Sequence, residues 1–127
     1  MEMPSFRLGL WLPPLALMGA IFFLSHQPSL DSGLGWVDLV GRKLLHFAEY
    51  ALLCFLWWRP LATLTDPGRA ALFAFLIASG FAATDELHQS FVEGRHGTPV
   101  DWAIDSAGAA AAAFRLRKAR PRAKLAA

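Results

Sequence analysis

The chain holds a single cysteine, Cys54, inside an apolar run. An internal disulfide is therefore impossible, and a cysteine-based metal centre is excluded. Charge is scarce as well. Asp, Glu, Lys and Arg make up 17% of the 127 residues, against about 25% in an ordinary soluble domain. No serine sits in a recognisable nucleophile context, so Ser90 and Ser106 read as capping or packing groups. What is present in quantity is apolar: 55% hydrophobic residues, five Trp and ten Phe, with a mean hydropathy of +0.38. This composition predicts an integral membrane protein of one compact domain.

The net charge is only +2, but its distribution is uneven. Six of the twelve basic residues fall in the last thirteen positions (Arg115, Arg117, Lys118, Arg120, Arg122 and Lys124). An apolar segment precedes them directly, so the run reads as a cytoplasmic membrane flank, and no nucleic-acid partner is expected.

Four apolar runs divide the rest. The first covers about 8–25, behind Arg7. It is long for a signal-peptide core and no small-x-small cleavage site follows it, so a retained transmembrane helix is expected. Pro13-Pro14 lack backbone N–H groups and predict a kink or a late start. Residues 27–40 read as a loop in which Leu34, Trp36 and Val37 suit a short interfacial helix. The second run, 39–58, closes on Trp57-Trp58-Arg59, an interfacial anchor. Residues 59–69 read as a loop built on Thr65-Asp66-Pro67-Gly68. The third run is 70–91, and 93–98 is a tight glycine-bearing loop. The fourth, 99–114, is alanine-rich and opens on Pro99. The expected fold class is all-α: an integral membrane bundle of four transmembrane helices over 1–114, both termini cytoplasmic, with a basic cytoplasmic tail over 115–127. Three spans are the fallback if the alanine-rich segment lies on the surface.

With both termini inside, the inner flanks hold Arg7, Arg59, Arg69 and the six tail residues, nine of the twelve basic groups. Arg42, Lys43 and Arg95 remain outside, which is the positive-inside asymmetry. This orientation gathers the unusual polar groups at one depth, on the extracytoplasmic side. Half of the ten acidic groups (Asp85, Glu86, Glu93, Asp101 and Asp105) fall between residues 85 and 105. His46 and Glu49 are spaced i,i+3, with Lys43 and Tyr50 extending their face. Asp85, His88 and Gln89 are i,i+3,i+4, and Asp101 and Asp105 are i,i+4. Gly108, Ala109 and Ala112 permit close helix approach. Three helices turning these faces inward would share one pocket, bound by Lys43, His46, Glu49, Asp85, Glu86, His88, Gln89, Arg95, Asp101 and Asp105.

Three chemistries fit that set. It can be a structural ion-pair network in which Lys43 or Arg95 neutralises Asp85 and Asp101, although buried ion pairs stabilise weakly. It can hold a divalent metal (zinc, manganese or magnesium) through His46, Glu49, Asp85, His88, Asp101 and Asp105. It can perform acid–base chemistry, with His46, Glu49, Asp85, His88 and Asp101 as the catalytic candidates. Ionisable groups concentrated within membrane segments more often mark a functional site than a structural one.

The motifs Lys43-x-x-His46-Phe47-x-Glu49-Tyr50, Asp85-Glu86-x-His88-Gln89-x-Phe91, Gly94-Arg95-x-Gly97-x-x-x-Asp101 and Asp105-x-x-Gly108 resemble, in this order and spacing, the VanZ-like family of small bacterial membrane proteins. The family is named for a protein conferring low-level resistance to the glycopeptide teicoplanin. The resemblance implies a multi-pass protein of the bacterial inner membrane, acting at the cell envelope and surrounded by membrane lipids. It supplies no mechanism and no oligomeric state. The expected function is binding of an amphipathic or lipid-linked envelope molecule in an extracytoplasmic-facing polar pocket, with Arg95 and Lys43 on its anionic group. A membrane-embedded, metal-assisted hydrolase or transferase acting on envelope lipids is the alternative. A looser similarity of Arg95-x5-Asp101-x3-Asp105-x-x-Gly108 to lipid phosphatases of the phosphatidate phosphatase type lacks the nucleophilic histidine and the Ser-Gly-His core those enzymes need. A reporter fused after Lys124 should read cytoplasmic in topology assays; an extracytoplasmic signal would overturn the assignment of depth.

Overall fold

The computed structural model describes residues 8–26, 35–91 and 99–119. Arg7, Glu93, Arg95, His96 and the tail residues Arg120, Arg122 and Lys124 lie outside the described residues. The described chain is all-helical, with α1 (Leu8–His26), α2 (Trp36–Leu61), α3 (Pro67–Gln89) and α4 (Pro99–Leu116) in succession.

Local chemistry explains where each helix begins and ends. α1 begins at Leu8 and passes through Pro13 and Pro14, so no late start occurs. Trp36 and Val37 belong to the first turn of α2, in place of the separate interfacial helix expected for them. Gly35 turns the chain into that helix with a φ of 58°, where a side chain would be strained. Asp38 in the same turn complements the helix dipole.

The stretch expected to be a 59–69 loop is mostly helix. α2 continues through Pro60, and Thr63 Oγ1 donates to the Pro60 carbonyl at 2.6 Å just beyond its end. Asp66 is the N-cap of α3, accepting from the Arg69 N–H at 3.0 Å, with Pro67 in the first turn. That backbone hydrogen bond, aided by the Arg69 charge, holds the Asp66 carboxyl below its ordinary range. A sequence of turn residues is thus a helix start. At the other end of α3, Ser90 caps the helix and its Oγ donates to the Leu87 carbonyl at 2.6 Å.

Contacts between helices fix their directions. Trp11 of α1 meets Trp57 of α2 edge-on at 6.2 Å, while Phe22 stacks on His88 of α3 at 4.5 Å. Trp58 Nε1 donates to the Pro67 carbonyl at 3.3 Å at one end of the α2–α3 pair. Tyr50 donates to Asp85 at 3.4 Å towards the other. The helices therefore alternate in direction, and α2 and α4 run parallel. α2, α3 and α4 pack against one another, and α1 lies against α2 and α3.

The interior is built from small side chains. Ala70, Ala71, Ala74, Ala78, Ala82 and Ala109 are buried beside Tyr50, Leu53, Cys54 and Trp58. Large apolar side chains point outward instead, among them Leu12, Phe23, Leu44, Leu76 and Phe114. In water such a surface would be an aggregation hazard. In lipid, Leu and Phe gain nothing by leaving the tails, and helices associate through close contact of small residues. Among the described residues, α3 is the helix long and apolar enough on its own to cross a membrane, and α1 contributes a shorter apolar stretch, Leu8–Leu24.

Gly108 sets the closest approach. A Cβ at this position would collide with the Phe47 carbonyl oxygen of α2 and lie 2.9 Å from its carbonyl carbon. Backbone atoms cannot rotate away, so the helices would have to part. Gly108→Ala should lower the melting temperature of the purified protein, with overpacking of about 1–3 kcal/mol; an unchanged melting curve would contradict this packing.

Candidate functional site

The alanine stripe of α3 leads into the site. Ala74, Ala78 and Ala82 follow one another at i+4, and the next step is Glu86; a step of three from Ala82 reaches Asp85. All five are buried. α3 packs against both α2 and α4, so two adjacent positions on its surface are covered together. That is why Asp85 and Glu86, only one residue apart, are both enclosed, with Gln89 one turn on.

α2 and α4 supply the facing groups in matching register. Lys43 Nζ donates to Asp101 Oδ1 at 3.0 Å. One turn deeper, His46 Nδ1 and Asp105 Oδ1 are hydrogen-bonded at 3.0 Å. One turn further along α4, Gly108 meets the backbone of Phe47, the residue after His46 on α2. The two ion pairs differ in exposure. The Lys43 and Asp101 side chains are 37% and 29% exposed, whereas Asp105 is fully buried and His46 largely so. The cluster therefore has a wet rim and a dry base. With Asp105 ionised, the shared proton sits on His46 Nδ1 and the carboxylate accepts it. The second carboxylate oxygen, Asp105 Oδ2, is buried and has no hydrogen-bond partner among the described residues.

The remaining candidates take distinct places. Glu49 is half-buried on α2, within electrostatic reach of His46, Asp105 and Asp85. Asp85 accepts from the buried Tyr50 hydroxyl. His88 turns towards α1, where it stacks on Phe22, and so leaves the face that Asp85 and Gln89 share. Lys43 neutralises Asp101, while Asp85 has a hydroxyl donor in Tyr50. Arg95 lies outside the described residues. Ser106 bonds Ser79 of α3 at 2.9 Å, and Trp102 Nε1 donates to the Ser79 carbonyl at 3.1 Å. Both tie α4 to α3 as packing contacts.

Ligand geometry is narrower than the six-residue metal set expected from spacing. Among the described residues, His46, Glu86 and Asp105 offer ligand atoms within 4.8 Å of one another. Glu49, Asp85, His88 and Asp101 are not members of that group. Glu86, expected in the pocket but not in the metal set, is thus the metal-ligand candidate that helical-face reasoning missed, and the i+4 continuation of the alanine stripe was the signal for it. Tyr50 is the other omission from the site set; it is the only tyrosine in the chain and is buried beside Asp85.

A family model described as VanZ/LLP1 matches residues 10–117. The chain belongs to the VanZ family. The resemblance carried by the Lys43–Tyr50, Asp85–Phe91 and Asp101–Gly108 motifs is therefore borne out, and the matched region of this VanZ protein contains every candidate site residue. Neither the curated proteins nor the solved structures contain a match to it.

Proposed function

We propose that this VanZ protein crosses the bacterial inner membrane four times, with both termini cytoplasmic. On this reading its polar cluster faces the extracytoplasmic side and binds an amphipathic or lipid-linked envelope molecule by an anionic group. The observation that carries the reading is the gradient within the cluster, from the fully buried Asp105 to the partly exposed Lys43 and Asp101. It sits at one end of a bundle whose outer surface is apolar.

Helix lengths support four spans. α1 and α4, with 19 and 18 residues, rise about 28 and 27 Å. α3 and α2, with 23 and 26 residues, rise about 35 and 39 Å. The hydrocarbon core is about 30 Å thick. Lys43 and His46 of α2 turn towards Asp101 and Asp105 of α4, away from lipid, which lowers the cost of inserting these helices. The basic residues of the inner flanks support the orientation.

Anion recognition follows from the rim. Lys43 has three donors and gives one to Asp101, which leaves two for a phosphate or carboxylate. Arg42 is exposed beside it, and Arg95 supplies a further cation in this reading. His46, Glu49, Asp85, Glu86 and Gln89 line the rest of the cluster, with His88 turned aside onto Phe22. Family membership supports an envelope origin for the proposed ligand, and altered teicoplanin sensitivity is the cellular phenotype to expect.

Native lipid extraction and mass spectrometry test this directly. An anionic envelope lipid should copurify with the wild-type protein and be depleted in Lys43→Ala of equal thermal stability. Ordinary membrane phospholipids in identical amounts on both proteins would sink the reading.

A further inference from the structure

The geometry points to a divalent metal site at the dry base of the cluster, formed by His46 of α2, Glu86 of α3 and Asp105 of α4. The site deepens the proposed reading of the cluster as a binding site and rests on it for its open coordination position. The metal–protein contacts themselves rest only on the convergence of the three helices.

Three observations carry it. The first is that ligand atoms of all three side chains lie within 4.8 Å of one another. The second is the His46–Asp105 spacing of 3.0 Å. Two ligands sharing a tetrahedral ion at about 2.0–2.1 Å stand about 3.3 Å apart, so an ion can replace the shared proton with a movement of a few tenths of an ångström. The third is the Asp105 carboxylate, fully buried, whose Oδ2 has no hydrogen-bond partner among the described residues. A buried carboxylate oxygen without a partner is costly, and a cation satisfies it. Glu86, itself buried, adds a second carboxylate to the same small volume.

The donor set defines the metal class. One imidazole and two carboxylates favour zinc or manganese over magnesium, which prefers oxygen ligands and retained water. Three protein ligands leave a fourth position open, as in sites that exchange a water or a bound anion. An oxygen of the anionic group proposed above is a fitting fourth ligand. Each ligand comes from a different helix, so the ion would also clamp α2, α3 and α4 at one depth.

The test uses the full chain in detergent, stripped with a chelator, incubated with zinc chloride or manganese chloride alone, desalted and analysed for metal by mass spectrometry. The wild-type protein should retain about one ion per chain. Glu86→Gln and Asp105→Asn keep the side-chain shape and should weaken binding by about tenfold or more. Asp66→Asn, at the far end of α3, should bind like the wild type. Folded wild-type protein that retains neither metal, or the two cluster variants binding it as tightly as the wild type, would overturn the site. Metal retained by protein from which no envelope lipid copurifies would support the site and count against the lipid reading alone.

Discussion

The site depends on one close contact, the packing of Gly108 against the Phe47 backbone. Because no side chain separates them there, α2 and α4 run side by side in parallel. The pairings one and two turns back along α4 then follow: Asp105 with His46, which adjoins Phe47, and Asp101 with Lys43. Glycine's value at this position is steric, since it allows a backbone approach that any Cβ would block. The alanine stripe of α3 serves the same end on the third side. Cross-helix side-chain hydrogen bonds such as Ser79–Ser106 average only about 0.6 kcal/mol in membranes. They secure the bundle less than the close approach does.

The distribution of polarity reverses that of a soluble protein. Large apolar side chains face out, small ones pack the middle, and carboxylates lie inside at one end. An Asp at a helix centre costs about 2.5–3.5 kcal/mol on insertion scales. That cost falls when the group faces partners within the bundle. On the proposed four-span topology, this arrangement accommodates α2 and α4, both poor candidates for spanning a membrane by composition, beside α3. It also explains why the polar groups must converge: dispersed over the outer surface, they would oppose insertion.

Much of the fold was legible in the sequence. Four helices, the inward faces of α2 and α4, and the role of Gly108 all follow from apolar runs, i+3 and i+4 spacing and the position of a small residue. The helix ends were less legible. Asp66-Pro67-Gly68 uses the same residue types for a turn and for a helix N-terminus, and only the hydrogen bond to Arg69 distinguishes them. Trp36 and Val37 lack the polarity signal that separates an interfacial segment from a helix extending beyond the apolar core. Within the site, a single-face picture of α3 grouped His88 with Asp85. A helix packed on two neighbours covers a wider arc, so Glu86 is enclosed and His88 is left to stack on Phe22. Spacing gives the angle of a side chain on its own helix, but not the number of neighbours that cover it.

The central claim is that the ionisable groups of separate helices meet in one buried cluster. A double-mutant cycle on His46→Ala and Asp105→Ala, read by reversible unfolding in detergent, tests it most directly. Direct contact, or contact through a shared ion, predicts a coupling of about 0.5–3 kcal/mol. Destabilisations that simply add, with no coupling beyond about 0.3–0.5 kcal/mol, would mean that the two side chains do not meet, and the cluster would have to be abandoned.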